Sequence, residues 1–189
     1  MSAACPSPHD RAIAAIAARI DRPVVLVGLM GVGKSTVGRK LANMLGRDFV
    51  DADDAIAEAA QRSIPEIFEA FGEAHFRDGE RRVIARLLSE GHGVIATGGG
   101  AFVDPQTRAA VLEKGIAVWI DCDIDTLVER TARRSNRPLL KQGNPREILT
   151  RLAAERAPFY GQAHIRIVSE TGPHADTARA IIEAIDQWL

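Results

Sequence analysis

The chain is short of the residues that would commit it to an oxidised, metal-bound or membrane-spanning fold. Its 189 residues hold two cysteines, Cys5 and Cys122, and this spacing matches neither a disulfide framework nor a metal or redox motif. The five histidines (His9, His75, His92, His164 and His174) are scattered and suggest no metal site. The longest apolar runs are strand-sized, which excludes a helical membrane span. Charge of one sign is also lacking: the net value of −1 offers no general attraction to nucleic acid or anionic lipid. Lysine stands only at Lys34, Lys40, Lys114 and Lys141, so the positive charge is nearly all arginine, the side chain that forks onto phosphates and carboxylates. No repeat, low-complexity tract or interdomain linker interrupts the chain. His9, Asp10, Arg11 and Arg19 break up the alanine-rich start, which predicts an amphipathic helix rather than a secretory signal, and a cytoplasmic protein.

What is present is alternation. Apolar, β-branched runs predict strands at Val24–Val27, Asp48–Asp51, Val94–Thr97, Ala117–Asp121 and Ile165–Val168. Several lack polar alternation, as central strands covered on both faces do. Between them lie helix signals: a Ser63-Ile64-Pro65-Glu66 capping box, and cap-plus-proline starts at Asp104-Pro105 and Asn144-Pro145. Long helices are expected over Glu73–Ser89 and Ala175–Trp188. Parallel strands joined through helices predict a single three-layer α/β domain over residues 1–189, with about five strands and ligands bound at their carboxyl ends. Two segments fit the core less well: the helix-rich insertion of residues 52–80 and the basic stretch near residues 132–144.

Val24–Val27 runs into Gly28-Leu29-Met30-Gly31-Val32-Gly33-Lys34-Ser35-Thr36, a G-x-x-x-x-G-K-S phosphate loop between strand and helix. Its glycines let backbone N–H groups of Gly31, Val32 and Gly33 turn towards a phosphate, and the helix adds its positive end. Lys34 is expected at the β- and γ-phosphates of ATP and Ser35 at Mg²⁺. Strand Val94–Ala96 ends without an acid, so the metal carboxylate is sought after Phe49-Val50, in Asp51-Ala52-Asp53-Asp54. Alternation along an extended strand would place Asp51 and Asp53 on one side, Asp51 towards Mg²⁺ and Asp53 towards an acceptor hydroxyl. Asp54 would begin or cap the next helix. The competing reading makes all three helix-start acids.

Arg77 and Glu80 are three apart on a helix and could be a mere surface pair, and Arg156 could be a helix-end charge. Gly98-Gly99-Gly100 at a strand end is wasteful unless something must approach closely. Four arginines fall within eight positions, Arg130, Arg133, Arg134 and Arg137, ahead of a flexible Lys141-Gln142-Gly143-Asn144. They repel one another unless an anion is shared, which suggests a lid over ATP. The stretch lacks the interleaved aromatics of a nucleic-acid surface.

Taken together, from about Val24 onwards, these motifs resemble the shikimate kinases of the nucleoside-monophosphate-kinase-like P-loop fold. The matching elements, in order, are the phosphate loop, Asp51-x-Asp53, Phe76-Arg77-x-x-Glu80, Gly98-Gly99-Gly100, Arg137-Pro138-Leu139-Leu140 and Arg156-x-x-x-Tyr160. The resemblance implies a helical substrate-binding insertion, a mobile lid, ATP and Mg²⁺ as donor and metal, shikimate as acceptor, and a monomer. It implies that Arg77 and Arg156 clamp the acceptor carboxylate, with Glu80 orienting Arg77. Asp53 would accept ring hydroxyls and serve as base, and Gly98, Gly99 and Gly100 would line the acceptor site. Arg130 would pack on adenine, Arg137 would contact the phosphates and share the developing charge with Lys34, and residues Ser169 to Pro173 would complete the adenine pocket. Residues 1–22 form an extension beyond the family pattern, with no catalytic role assigned. The rival functions are a kinase of another hydroxy-acid such as gluconate, a nucleoside monophosphate kinase, and a non-catalytic nucleotide switch. The last lacks support, since neither Asn-Lys-x-Asp nor Asp-x-x-Gly after a strand occurs.

Overall fold

The computed structural model describes residues 7–132, 143–169 and 172–189. Strand β1 (Val24–Val27) is four aliphatic residues with no exposed surface, the signature of a strand covered on both faces. It lies at the centre of a five-stranded parallel sheet ordered β2-β3-β1-β4-β5. The others are β2 (Phe49–Asp51), β3 (Val94–Ala96), β4 (Ile116–Asp121) and β5 (Ile165–Val168). These are the strands expected from sequence, with ends moved by one residue where they move at all. Helices α1 (Pro8–Arg19), α2 (Lys34–Leu45), α3 (Ala52–Ala60), α4 (Ile64–Glu90), α5 (Pro105–Lys114), α6 (Ile124–Ala132), α7 (Pro145–Tyr160) and α8 (His174–Trp188) flank the sheet, making the three-layer P-loop fold.

Register brings the loops together. Leu26 pairs with Ala96 and Val118, and Asp51 pairs with Ala96, so the strand ends that lead into Gly28, Ala52, Thr97 and Cys122 share one rim. Helix starts are as expected: Ser63 and Glu66 form a reciprocal capping box, and Asp104 and Asn144 each cap a helix whose first residue is proline. Helix α4 is two helices run together across Gly72, whose φ of 77° and ψ of 176° no helical residue adopts. The second piece is the helix expected over Glu73–Ser89. Ile56, Ile67 and Phe76 form a small core of their own under this insertion.

The N-terminal helix α1 is capped at its start and tied down at its end. Ser7 and Asp10 make a capping box, and Arg47 donates to the carbonyls of Ala17 and Ile20 at the helix end. Arg19 pairs with Asp186 of α8, and α8 packs along α2. Among the described residues no helix is long and apolar enough to cross a membrane.

Candidate functional site

The loop after β1 closes into a nest because Gly28, Gly31 and Gly33 all carry positive φ, of 136°, 89° and 92°. Helix α2 starts at Lys34, with Gly33 as its cap, so free N–H groups and the positive helix end face into the nest. The Lys34 Nζ donates to the carbonyls of Gly28 and Leu29, both at 2.8 Å, which holds its ammonium against the loop. One residue on, Ser35 Oγ donates to Asp51 Oδ2 at 2.5 Å. That hydroxyl and carboxylate are hard oxygen donors, the set Mg²⁺ prefers, so the pair fits the metal expected there.

Asp51 and Asp53 do share the site, but strand alternation is not the reason. Asp51 caps α3, its Oδ1 accepting the Asp53 N–H at 3.1 Å, and Asp53 lies in the first helical turn. Asp54 follows within that turn and does not cap the helix. A cap residue and the residue two positions on meet through the side-chain-to-backbone bond, so the two carboxylates come together by capping geometry. Asp53 is reachable by solvent at the cleft mouth, yet crowded by surrounding protein. Its carboxyl is pushed above the usual range by desolvation, then by the Asp51 charge, with Lys34 opposing.

The three glycines clear space for side chains as much as for a ligand. A Cβ on Gly98 would stand 2.8 Å from Asp53 Oδ1 and 2.9 Å from Glu80 Oε1. One on Gly100 would stand 2.5 Å from Arg77 Nη2. Arg77 Nη1 donates to Glu80 Oε2 at 2.5 Å, and Glu80 is only 2% exposed, so this is no surface ion pair. Burial pushes the Glu80 carboxyl upward while Arg77 pulls it back. Arg156 Nη1 donates to Gly99 O at 2.9 Å, and the buried Tyr160 hydroxyl donates to the same carbonyl. Burial pushes the Tyr160 phenol upward, with the Arg156 and Arg77 charges opposing. Two cations therefore flank one glycine loop.

A cavity of about 380 Å³ is lined by the phosphate loop, Asp51, Asp53, Thr97, Gly98 and Gly99, and by Arg130; Arg77, Glu80, Gly100 and Arg156 do not line it, and the two arginines meet it only through the glycine loop. Arg130 also donates to Val32 O at 3.4 Å. Arg137, Arg133, Arg134 and Glu170-Thr171 lie outside the described residues, as does most of the expected lid. A second cavity of about 390 Å³ sits between α3 and α4 over Ile56, Ile67 and Phe76. None of its lining residues belongs to the phosphate loop. Sequence reasoning missed Thr97, His174 and the loop-holding role of Tyr160. The first adjoins the triple glycine and could have been suspected, whereas His174 carries no local signal.

The family model for shikimate kinase matches residues 30–186. A shikimate kinase of Novosphingobium aromaticivorans is 61% identical, over 96% of this chain and 99% of the relative. One from Rhodopseudomonas palustris is 50% identical, over 100% of this chain and 92% of its own length. Among solved structures, a shikimate kinase from Acinetobacter baumannii in complex with shikimate superposes with a TM-score of 0.84 at 38% identity, covering 93% of this chain and 96% of the other.

Proposed function

The chain belongs to the shikimate kinase family, and from that premise we propose that it transfers the γ-phosphate of ATP to the 3-hydroxyl of shikimate, giving shikimate 3-phosphate and ADP. The observation that carries the reading is the shared cleft: Lys34 and Asp53 line one cavity, and Arg77 and Arg156 border its glycine loop. Gluconate has a carboxylate too, but the family and the paired arginines around three glycines favour shikimate.

The phosphate loop receives the triphosphate on the Gly31, Val32 and Gly33 amides, with Lys34 and Thr36 beside it. Leaving the Gly28 and Leu29 carbonyls for a γ-phosphate would bring the Lys34 ammonium to the group in transfer. Ser35, directly, and Asp51, through water, would hold Mg²⁺, which when bound neutralises phosphate charge. Arg77 and Arg156 grip the acceptor carboxylate, Glu80 aims Arg77, and residues 52–80 act as the acceptor-binding subdomain. Asp53 accepts the acceptor's hydroxyls and takes the proton of the attacking one, although positioning and charge stabilisation supply most of the rate. Arg130 completes the nucleotide side, and Arg137 would contact the phosphates beside it. The protein works as a cytoplasmic monomer.

The test is mass spectrometry of the product formed from Mg²⁺–ATP and shikimate, with gluconate and a nucleoside monophosphate as parallel acceptors. Phosphorylated shikimate is expected. Turnover of another acceptor in its place, or ATP binding with no phosphorylated acceptor, would overturn the assignment.

A further inference from the structure

Helix α8 begins at His174, and its packing along α2 carries that side chain over the phosphate loop. A Cβ built on Gly33 would lie 3.1 Å from His174 Cε1 and 3.4 Å from its Nδ1, so the imidazole rests directly on the glycine. The half-buried ring also lines the same cavity as Lys34, Ser35 and Arg130. Gly33 needs this neighbour more than most residues would. It caps α2 at φ 92° and ψ 20°, a conformation only glycine adopts readily, and glycine is the residue with most freedom to leave it. The preceding carbonyl, that of Val32, is held by Arg130 from α6. Two side chains from distant helices thus bracket the Val32–Gly33 segment whose amides a triphosphate must meet.

We infer that His174 is a positioning residue for the nucleotide: its ring fixes Gly33 in the phosphate-binding conformation and closes the cavity wall beside it. This rests on the kinase reading and deepens it. Mg²⁺–ADP titrated calorimetrically into the whole protein without acceptor separates the two. Wild type that fails to bind would sink the kinase reading and this inference with it. Given wild-type binding, His174→Ala should weaken it about five- to twentyfold and raise KM for ATP equally. The kcat and the acceptor KM should stay within about twofold. His174→Phe, which keeps a ring over Gly33, should recover most of the loss. Unchanged ADP affinity in His174→Ala would overturn the inference. So would equal losses for both substrates with a lowered Tm that Phe does not rescue, since that pattern marks a purely structural role.

Discussion

Gly100→Ala tests the acceptor clamp more cleanly than removing the clamp itself. Arg77→Ala strips the partner from the buried Glu80 carboxylate, and breaking such a pair costs about 3–5 kcal/mol of stability. Gly100 has φ −97° and ψ −14°, which alanine adopts without strain, so its backbone need not move. The added methyl would nevertheless lie 2.5 Å from Arg77 Nη2 and 2.8 Å from Cζ and Nη1, inside contact distance of the whole guanidinium. A flexible side chain yields before the backbone does, so the displacement of about 1 Å falls on the functional group. Losing one charge-assisted contact to the acceptor carboxylate costs about 1.5–3 kcal/mol, or roughly 10- to 150-fold. Steady-state kinetics should therefore show acceptor KM raised by that factor, ATP KM within about twofold and Tm nearly unchanged. An unchanged acceptor KM, or an equal rise for ATP, would refute the placement of Arg77 against Gly100 as a substrate clamp.

Lys34→Ala should lower kcat by about 10²–10³-fold with a smaller effect on acceptor KM, because the ammonium serves charge that grows in transfer; near-normal turnover would remove it from that role. Asp53→Asn should lower kcat by about 10²–10⁴-fold yet raise Tm at neutral pH. Its folded carboxyl binds a proton more tightly than the unfolded one, so the charge destabilises the fold as pH rises from the ordinary 3.8 through the raised value. For the same reason wild-type kcat/KM should fall as pH drops through that value, and a variant no more stable than wild type would contradict the desolvation argument. Opposite the active rim, the Asp48 contact raises the His92 pKa above the ordinary 6.5. Its stabilisation is complete below that figure and fades as pH rises through the folded value. The Tm difference between wild type and His92→Gln should accordingly be larger at about pH 5.5 than at about pH 9, and a pH-independent difference would discount the pair.

Local chemistry was legible wherever it is written in neighbouring residues. The β1–phosphate loop–α2 unit, the caps at Ser63, Asp104 and Asn144, and the five strands follow from dihedral preference, capping and hydrophobic pattern, each acting over a few positions. Strand alternation pairs Asp51 with Asp53 in the sequence, whereas a helix cap is what joins them in the fold. Other features depend on partners far along the chain. Arg77-x-x-Glu80 reads in sequence like any i,i+3 pair, and only the packing of α4 against the core makes Glu80 a buried carboxylate. Tyr160 holds Gly99 and His174 covers Gly33 because α7 and α8 return to the sheet rim. The fold class and the strand–phosphate loop–helix unit could be read from the order of residues alone. Packing settles which arginine is anchored, why the glycines must lack side chains, and which histidine meets the cavity of the phosphate loop, because burial and close approach are properties of packed elements and have no short-range signature.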